Sequence, residues 1–450
     1  MLTKLSDSVK YLLPVILLIG YIDVDFHIGY PIMDTQFHIL FIFIALSLLF
    51  GPFIRFTLIC LGCYIAYIYP DMLYYPTRYE DIVKWVGTPV LFAICYASYK
   101  ANGFSFTSVL LAFLSIPLIG IGVPASLPPL IVDSNAMLGV PIHIISGIVF
   151  IFILLGNVLV HTGIVDRIIS YITKRVRNPA RVAIISSAVF GSISGSAVSN
   201  VMSTGQLTIP LMIRSGFSKT RAAAYEAVAS TGGCLTPPIM GAAAFLMAEM
   251  LMVSYWEIAL VATIPAIVFY AVLLLSVPKS DITNVSIQRH DITPLRLPSL
   301  GPLLLDISAT MRDLILIASA VGLIIGVLDQ TGLAFTLSST MIDASGDNRF
   351  LLLLLVAAIC VVLGMGMPTV STYLIVSVIA APALIAVGFT DIYAHLFVLY
   401  YGVLAMITPP VAIASFAAAK LSGANPMMVA LDSVRIGWPL FLLPFLFVWL

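Results

Sequence analysis

Apolar residues dominate this chain in long runs, separated by short polar or proline-containing segments. Runs that predict membrane-embedded helices lie at about 11–22, 37–50, 54–70, 86–99, 104–123, 139–163, 222–250, 251–277, 313–333, 392–419 and 427–450. A helix needs about 20 apolar residues to span a bilayer, so the pattern predicts an all-α polytopic membrane protein. Two further apolar stretches, 182–213 and 350–389, have different flanks and a different composition from the rest.

Composition supports the membrane reading. Of 450 residues, 61% are hydrophobic and 9% charged, and the mean hydropathy is +1.10. Soluble domains are about a quarter charged, so a water-soluble globule is excluded. Lys+Arg and Asp+Glu both total 21, which leaves no basic surplus for nucleic acid. The five cysteines (60, 63, 95, 234, 360) are odd in number and lie inside apolar runs. They predict small packing residues in place of a disulfide framework or a zinc site. Lys4 and Lys10 precede an apolar run with no small-residue cleavage site, and Asp23 and Asp25 follow. This is the pattern of a retained first span.

Positive charge sets an expected orientation. With the N-terminus in the cytoplasm, 18 of the 21 Lys and Arg residues fall on the cytoplasmic side, as the positive-inside rule expects. Arg78, Lys84 and Arg349 fall outside. The count holds only if 182–213 and 350–389 each enter and leave on one side. The first has Lys/Arg clusters at both ends, and ten of its fifteen central residues, 191–205, are Gly, Ser, Thr or Asn. That composition disfavours helix and suits the tip of a re-entrant hairpin held inside protein. The second has acidic flanks at Asp343, Asp347 and Asp391 and a Gly364-Met365-Gly366-Met367-Pro368-Thr369 centre.

A shift of 172 residues aligns the two halves without a gap. Pro210 falls on Pro382, Gly216-Phe217 on Gly388-Phe389, Thr236-Pro237-Pro238 on Thr408-Pro409-Pro410 and Ser199 on Ser371. Between 196 and 242 there are 11 identities in 47 positions. The expected organisation is four spans at 1–103, a first permease part at 104–277 with repeat 1 at 139–277, a linker at 278–312 and repeat 2 at 313–450. By the charge topology the first hairpin opens inward and the second outward. Inverted repeats with paired interruptions are a feature of secondary transporters, whose sites lie at the repeat interface.

The interruptions carry the candidate chemistry. Thr-Pro-Pro removes two consecutive backbone donors and frees carbonyls upstream, near Gly232-Gly233-Cys234-Leu235 and Ala405-Met406-Ile407. The hairpins add Ser194, Ser196, Ser199 and Asn200 in one half, and Thr369, Ser371 and Thr372 in the other. Neutral oxygens of this kind suit a small alkali cation. Each hydroxyl taken singly reads equally well as a small residue for close helix packing.

Acids and histidines are placed away from the midplane by this reading. Glu226 is expected near the cytoplasmic end of its helix, with a functional role, a snorkelling role and an Arg221-paired structural role all open. Glu249, Asp329 and His395 are placed near outer ends, and His161 and Asp166 near an inner one. Proton-coupled carriers usually hold a titratable group along the path, so sodium is favoured as the coupling ion. His27, His38, His143 and His290 read as interfacial or loop residues. No HExxH, GxxxxGK[ST], GxSxG or Cys/His ligand spacing is present, so no enzyme is expected and no catalytic residue is assigned.

Residues 191–249 and 364–426 resemble the membrane component of tripartite ATP-independent periplasmic (TRAP) transporters. The nearest likeness is to fused permeases that work with TAXI-type periplasmic binding proteins. The motifs that carry it are GSISGSAVSNVMSTG, EAVASTGGCLTPPIMGAAAFLMAE, GMGMPTVSTY and YYGVLAMITPPVAIASFAAAKLSGANP. The similarity runs from about 104 to the end.

The resemblance implies an inverted-repeat elevator-type fold with two re-entrant hairpins and two broken helices, in a bacterial or archaeal cytoplasmic membrane. It also implies sodium as coupling ion, an organic anion as substrate, a periplasmic TAXI-type binding protein as partner, and no cofactor. Carried onto this chain, its sodium and substrate residues are Ser194, Gly195, Ser196, Ser199, Asn200, Thr231, Gly232, Gly233, Thr236, Pro237 and Pro238. In the second half they are Gly364, Gly366, Pro368, Thr369, Gly402, Thr408, Pro409 and Pro410. The first 100 residues look like the small membrane subunit fused ahead of the large one, with Tyr79–Trp85 as an amphipathic brace. The chain ends at Phe447-Val448-Trp449-Leu450, earlier than fused members of that family, and a truncated second repeat is the expectation. The alternatives are a stand-alone sodium/dicarboxylate elevator carrier and a polytopic membrane enzyme acting on lipids.

Overall fold

The computed structural model describes residues 2–21, 34–120, 130–133, 136–176, 178–278, 297–346 and 348–449, and every regular element among them is helical. Among the described residues seven helices are long and apolar enough to cross a membrane: Pro52–Tyr74, Thr77–Ala101, Val140–His161, Tyr255–Leu275, Leu300–Thr331, Thr369–Ala386 and Pro426–Phe447. The protein is a polytopic, all-helical membrane protein. His27 and His290 lie outside the described residues.

By packing, the chain forms two compact units. One is Met1–Val158 with Pro298–Ala334, and the other is Leu159–Leu297 with Phe335–Leu450. The first long helix of each sequence repeat thus belongs largely to the first unit, and the remainder of both repeats to the second.

The first unit contains α1 (Leu2–Tyr21), α2 (Asp34–Ser47), α3 (Pro52–Tyr74), α4 (Pro76–Gly120), most of α5 (Val140–His161) and α12 (Leu300–Thr331). The α4 segment is two helices merged across a kink at Gly103. Residues Ile145–Val149 of α5 form a π-helical turn. Helix α12 starts at Leu300, so the linker is shorter at its C-terminal end than the expected 278–312. Arg55 is buried at the α2–α3 turn and donates to the carbonyls of Ser47 and Phe50, both at 3.2 Å. It therefore adds a side-chain donor to the last carbonyl of α2 and to one in the turn that follows it. His38 and His143, expected as separate interfacial residues, stand with ring centroids 5.4 Å apart, and His38 is buried. Cys60 and Cys63 are exposed, unlike the buried Cys234 and Cys360.

The second unit holds α6 (Ile164–Arg175), α7 (Pro179–Ser194), α8 (Ala197–Arg214), α9 (Lys219–Gly233), α10 (Ala242–Met250) and α11 (Tyr255–Leu275). It continues with α13 (Leu333–Ser345), α14 (Arg349–Gly364), α15 (Thr369–Ala386), α16 (Asp391–Leu404), a 3-10 turn at Ala405–Ile407, α17 (Ile413–Ser422) and α18 (Pro426–Phe447). Helices α7 and α8 pack on each other as one hairpin, and α14 and α15 as a second. The first arms are both 16 residues and the second arms both 18. At 1.5 Å per residue a 16-residue arm is about 24 Å long, short of the roughly 30 Å of a hydrocarbon core.

The repeat is visible in small geometry as well as in helix lengths. Gly216 and Gly388 close the second arms with φ of 98° and 97°. Phe217 N donates to Met212 O at 3.1 Å, and Phe389 N to Leu384 O at 3.2 Å. Asn178 caps α7 by accepting from the Ala180 and Arg181 amides, and Asn348 caps α14 through Phe350 and Leu351. These caps are 170 residues apart, whereas the second arms are 172 apart. The tips explain the difference: hairpin 1 turns at Gly195-Ser196 and hairpin 2 at Met365–Pro368. The alignment therefore has a two-residue gap at the tip, which the gapless reading missed.

A second correction concerns 191–205. Only Gly195 and Ser196 leave the helix, although the composition disfavoured helix throughout. Tertiary contact overrides intrinsic propensity here: the buried small residues of both arms are packed against each other and against α9.

Close backbone approach in the first unit supplies a stability test. A Cβ on Gly322 of α12 would stand 2.3 Å from Ala136 O, whereas one on Gly301 meets nothing within 4 Å. Gly322→Val is expected to destabilise the purified protein by about 1–3 kcal/mol through overpacking, read as a lowered melting temperature in detergent. Gly301→Val should leave it within about 0.5 kcal/mol.

Candidate functional site

In the first repeat the helix break is built against the hairpin tip. Helix α9 ends at Gly233, and residues 234–241 run without regular helix to α10. The Ile239 amide donates to Ser192 O at 3.2 Å, so the hairpin answers a donor that the break exposes. Two glycine pairs let the backbones meet. A Cβ on Gly191 would stand 2.6 Å from Gly233 Cα, and one on Gly195 would stand 2.1 Å from Gly241 Cα. Gly195 and Gly241 also have φ of 61° and 81°, a region in which a side chain is disfavoured.

The remaining candidates of this half take distinct places. The Ser194 hydroxyl is buried and has no hydrogen-bond partner among the described residues. Ser196 caps α8, its hydroxyl accepting from the Ser199 amide at 3.4 Å, and Ser199 is exposed. Asn200 is fully buried and donates to the carbonyls of Ser187 and Ser230 at 2.8 and 3.4 Å. It ties the hairpin to α9, away from the turn itself. Thr231 donates to Ala227 O at 2.7 Å, and Gly232 packs against the Phe269 ring. Thr236 donates to Gly232 O at 2.8 Å, the Pro237–Pro238 peptide bond is cis, and Tyr255 donates to Pro238 O at 2.6 Å.

The second repeat restates the arrangement. Thr408 donates to Leu404 O at 2.8 Å, 172 residues on from the Thr236–Gly232 bond, and the Pro409–Pro410 bond is again cis. Gly364 at the end of α14 abuts Ala405, Thr372 and Gly402, and Gly366 turns with φ of 76°. Pro368 caps α15, and its carbonyl accepts from Ser371 and Thr372 at 2.9 and 3.1 Å. The Thr369 hydroxyl lies 3.3 Å from Met406 Sδ.

The carbonyls expected to be free are therefore partly answered. Those of Gly232 and Leu404 each accept a threonine hydroxyl. Those of Gly233 and Ala405 accept the Thr236 and Thr408 amides at 3.2 Å. A carbonyl oxygen has two lone pairs, so these groups retain acceptor capacity. The repeats also interlock: α9 packs on α17 and α18, and α8 on α17.

The largest correction is Glu226. It sits at the middle of α9, fully buried, and makes no ion pair with Arg221 or any other cation among the described residues. Its carboxylate accepts from Ser187 at 2.7 Å, Thr204 and Thr208 at 2.5 Å and Ser230 at 3.1 Å. Sequence reasoning placed it at a membrane edge because it treated 222–250 as one span measured from Thr236. The signal was nonetheless present: Thr204 and Thr208 are four apart, as are Glu226 and Ser230, and such pairs share a helix face. His395, expected near an outer end, is buried and bonded through Nδ1 to the Tyr373 hydroxyl at 2.7 Å.

Two helix hairpins, each backed against a helix broken at Thr-Pro-Pro, form the candidate site of this polytopic membrane protein. The chain belongs to the family described as the tripartite ATP-independent periplasmic transporter, DctM component, whose model matches residues 85–287 and 282–450. The match thus begins earlier than the 104 expected from motifs. It is similar to the C4-dicarboxylate TRAP transporter large permease protein DctM of Rhodobacter capsulatus, 33% identical over 91 residues, 19% of this chain and 21% of that protein. A putative TRAP transporter large permease protein of Haemophilus influenzae is 34% identical over 91 residues, 19% of this chain and 23% of that protein. An uncharacterized protein, YgiK, of Salmonella typhimurium is 28% identical over 176 residues, 38% of this chain and 36% of that protein. The chain spans 21–36% of the length of these relatives.

The tip-to-break contact is testable by one methyl group. Gly195→Ala introduces both a contact at 2.1 Å and a side chain at positive φ. The expected loss is about 2–4 kcal/mol, read as a lowered melting temperature. Gly147→Ala, which meets nothing within 4 Å, serves as the control and should change little.

Proposed function

We propose that this chain is a sodium-coupled permease that imports a small organic anion, a carboxylate, delivered by a periplasmic TAXI-type substrate-binding protein. The observation that carries the reading is the pairing of each hairpin with a Thr-Pro-Pro break in the same unit. Paired interruptions of this kind form ion and substrate sites in inverted-repeat carriers. The donor set fits a hard, singly charged cation: neutral hydroxyls at Ser194 and Thr369, with carbonyls beside Thr236 and Thr408. Short N-terminal ends of α8 and α15 suit an anion, since helix N-termini present backbone donors and a favourable dipole.

In this reading the hairpins are re-entrant and do not cross, the N-terminus is cytoplasmic, and the protein resides in the cytoplasmic membrane. Residues 1–103 act as a fused small-subunit-like scaffold, and the hairpin-bearing part carries the substrate by an elevator movement. The family and the name of the Rhodobacter relative support a dicarboxylate-like substrate and a binding-protein partner.

Uptake of labelled carboxylates into proteoliposomes tests this directly. The expected result is uptake that requires both an inward sodium gradient and the binding protein, with Thr236→Val and Thr408→Val each lowering it about tenfold, a ligand loss of roughly 1.4 kcal/mol. Sodium-driven uptake without the partner favours the stand-alone carrier. Uptake indifferent to sodium contradicts the proposal.

A further inference from the structure

Glu226 and its hydroxyls form a site that sodium coupling does not use. Three elements converge on the carboxylate: α7 supplies Ser187, α8 supplies Thr204 and Thr208, and α9 itself supplies Ser230. The position 172 residues on is Val398, and Thr204, Thr208 and Ser230 correspond to Val376, Ala380 and Gly402. Repeat 2 therefore lacks the site, so it is not a by-product of the duplicated architecture.

The charges around it are few. Helix α9 packs against α7, α8, α11, α16, α17, α18 and the 405–407 turn. Tyr270 of α11 interacts with Glu226, its hydroxyl donating to Ala229 O at 2.8 Å, and Cys234 and Tyr400 of α16 interact with Tyr270 in turn. Arg181, Arg214, Glu257, Asp391 and Lys420 lie in the terminal turns of their helices, Asp432 pairs with Arg435 at 3.2 Å, and His395 pairs with Tyr373. A buried carboxylate with no cation is strongly disfavoured as an anion unless hydrogen bonds hold it.

The network accommodates both protonation states without leaving a group unsatisfied. As an anion, Glu226 accepts the four hydroxyls. Thr204 and Thr208 each have a second acceptor, Asn200 O at 2.8 Å and Thr204 O at 3.0 Å. When a proton adds to Oε2, the new O–H donates to Thr208 Oγ1, and the Thr208 hydrogen turns to Thr204 O. Oε1 continues to accept from Ser187, Thr204 and Ser230. No other bond changes.

We propose that Glu226 is a proton-binding site, closed when the α7–α8 hairpin lies on α9 and exchanging its proton with water when the two separate. Because the carboxylate is fully buried and all four of its hydrogen-bond donors lie on α7, α8 and α9, parting of the hairpin from α9 is the movement that opens it, which links proton binding to hairpin movement. The site stands independently of the sodium and binding-protein reading above.

The test is infrared difference spectroscopy of the purified full chain, titrated between about pH 5 and pH 9, the range reached by buried carboxyl groups. The wild type should show the carbonyl stretch of a protonated carboxylic acid that titrates in this range. Glu226→Gln keeps the shape, its amide donating to Thr208 as the acid does, and should lack the band. Thr208→Val removes the acid's acceptor and should shift the band's frequency, which assigns it even where Glu226→Gln does not fold. In proteoliposomes, wild-type uptake should vary on the order of tenfold over the same range, as for one titrating group. Glu226→Gln should flatten that profile to within about twofold. Absence of a titrating band, a band unchanged in both variants, or a Glu226→Gln profile equal to that of the wild type overturns the proposal.

Discussion

Backbone polar groups inside a membrane must find their partners within the protein, and a helix broken at Thr-Pro-Pro leaves several of them without helical ones. In this chain each break is answered by a hairpin and by its own threonine. In repeat 1 the Ile239 amide reaches Ser192 O, and Gly191 and Gly195 let the hairpin backbone touch Gly233 and Gly241. In both repeats the threonine ahead of the prolines returns its hydroxyl to a carbonyl four residues back. Without a small-residue tip the break would have no cover, and without the break the hairpin would have nothing to seal.

The same constraint explains where polarity is concentrated. Many hydroxyls in the second unit return to a carbonyl of their own helix or join the Glu226 cluster, whereas those of Ser186, Ser194 and Tyr400 are buried with no hydrogen-bond partner among the described residues. An orphaned buried hydroxyl is unfavourable by about 1–3 kcal/mol; of these three, Ser194 stands at a hairpin tip, and in the proposed reading a transported ion completes it. The repeats are alike in arm length, caps and breaks but differ in buried polar groups. Glu226 with its hydroxyls belongs to repeat 1, and the Tyr373–His395 pair to repeat 2. The duplicated frame supports unlike interiors, which is where the two halves can take different tasks.

Much of this was legible in the linear pattern. The helical membrane class followed from apolar run length, and the paired hairpins from matched prolines and glycines at Pro210, Gly216, Thr236 and their counterparts. Proline and glycine impose local backbone consequences, so their spacing survives as structure. The 191–205 segment was misread because propensity describes an isolated helix, while here Gly191 and Asn200 are fixed by contact with α9. The two-residue tip difference was hidden because identities cluster after the tip, from 198 onward. Glu226 was misplaced because linear distance from Thr236 locates a residue along one helix and says nothing about which neighbours enclose it.

In the proposed function, hairpin tip and helix break together hold sodium as the coupling ion. The most direct measurement is sodium binding to the purified chain, followed by radioactive sodium and by the melting temperature in sodium against potassium, for wild type and Ser194→Ala. The account predicts selective stabilisation of the wild type by sodium and about tenfold weaker binding in Ser194→Ala. In potassium alone Ser194→Ala should be as stable as the wild type or more so, because an unpartnered buried hydroxyl has been removed. Equal behaviour in sodium and potassium, or sodium binding unchanged by Ser194→Ala, would contradict it.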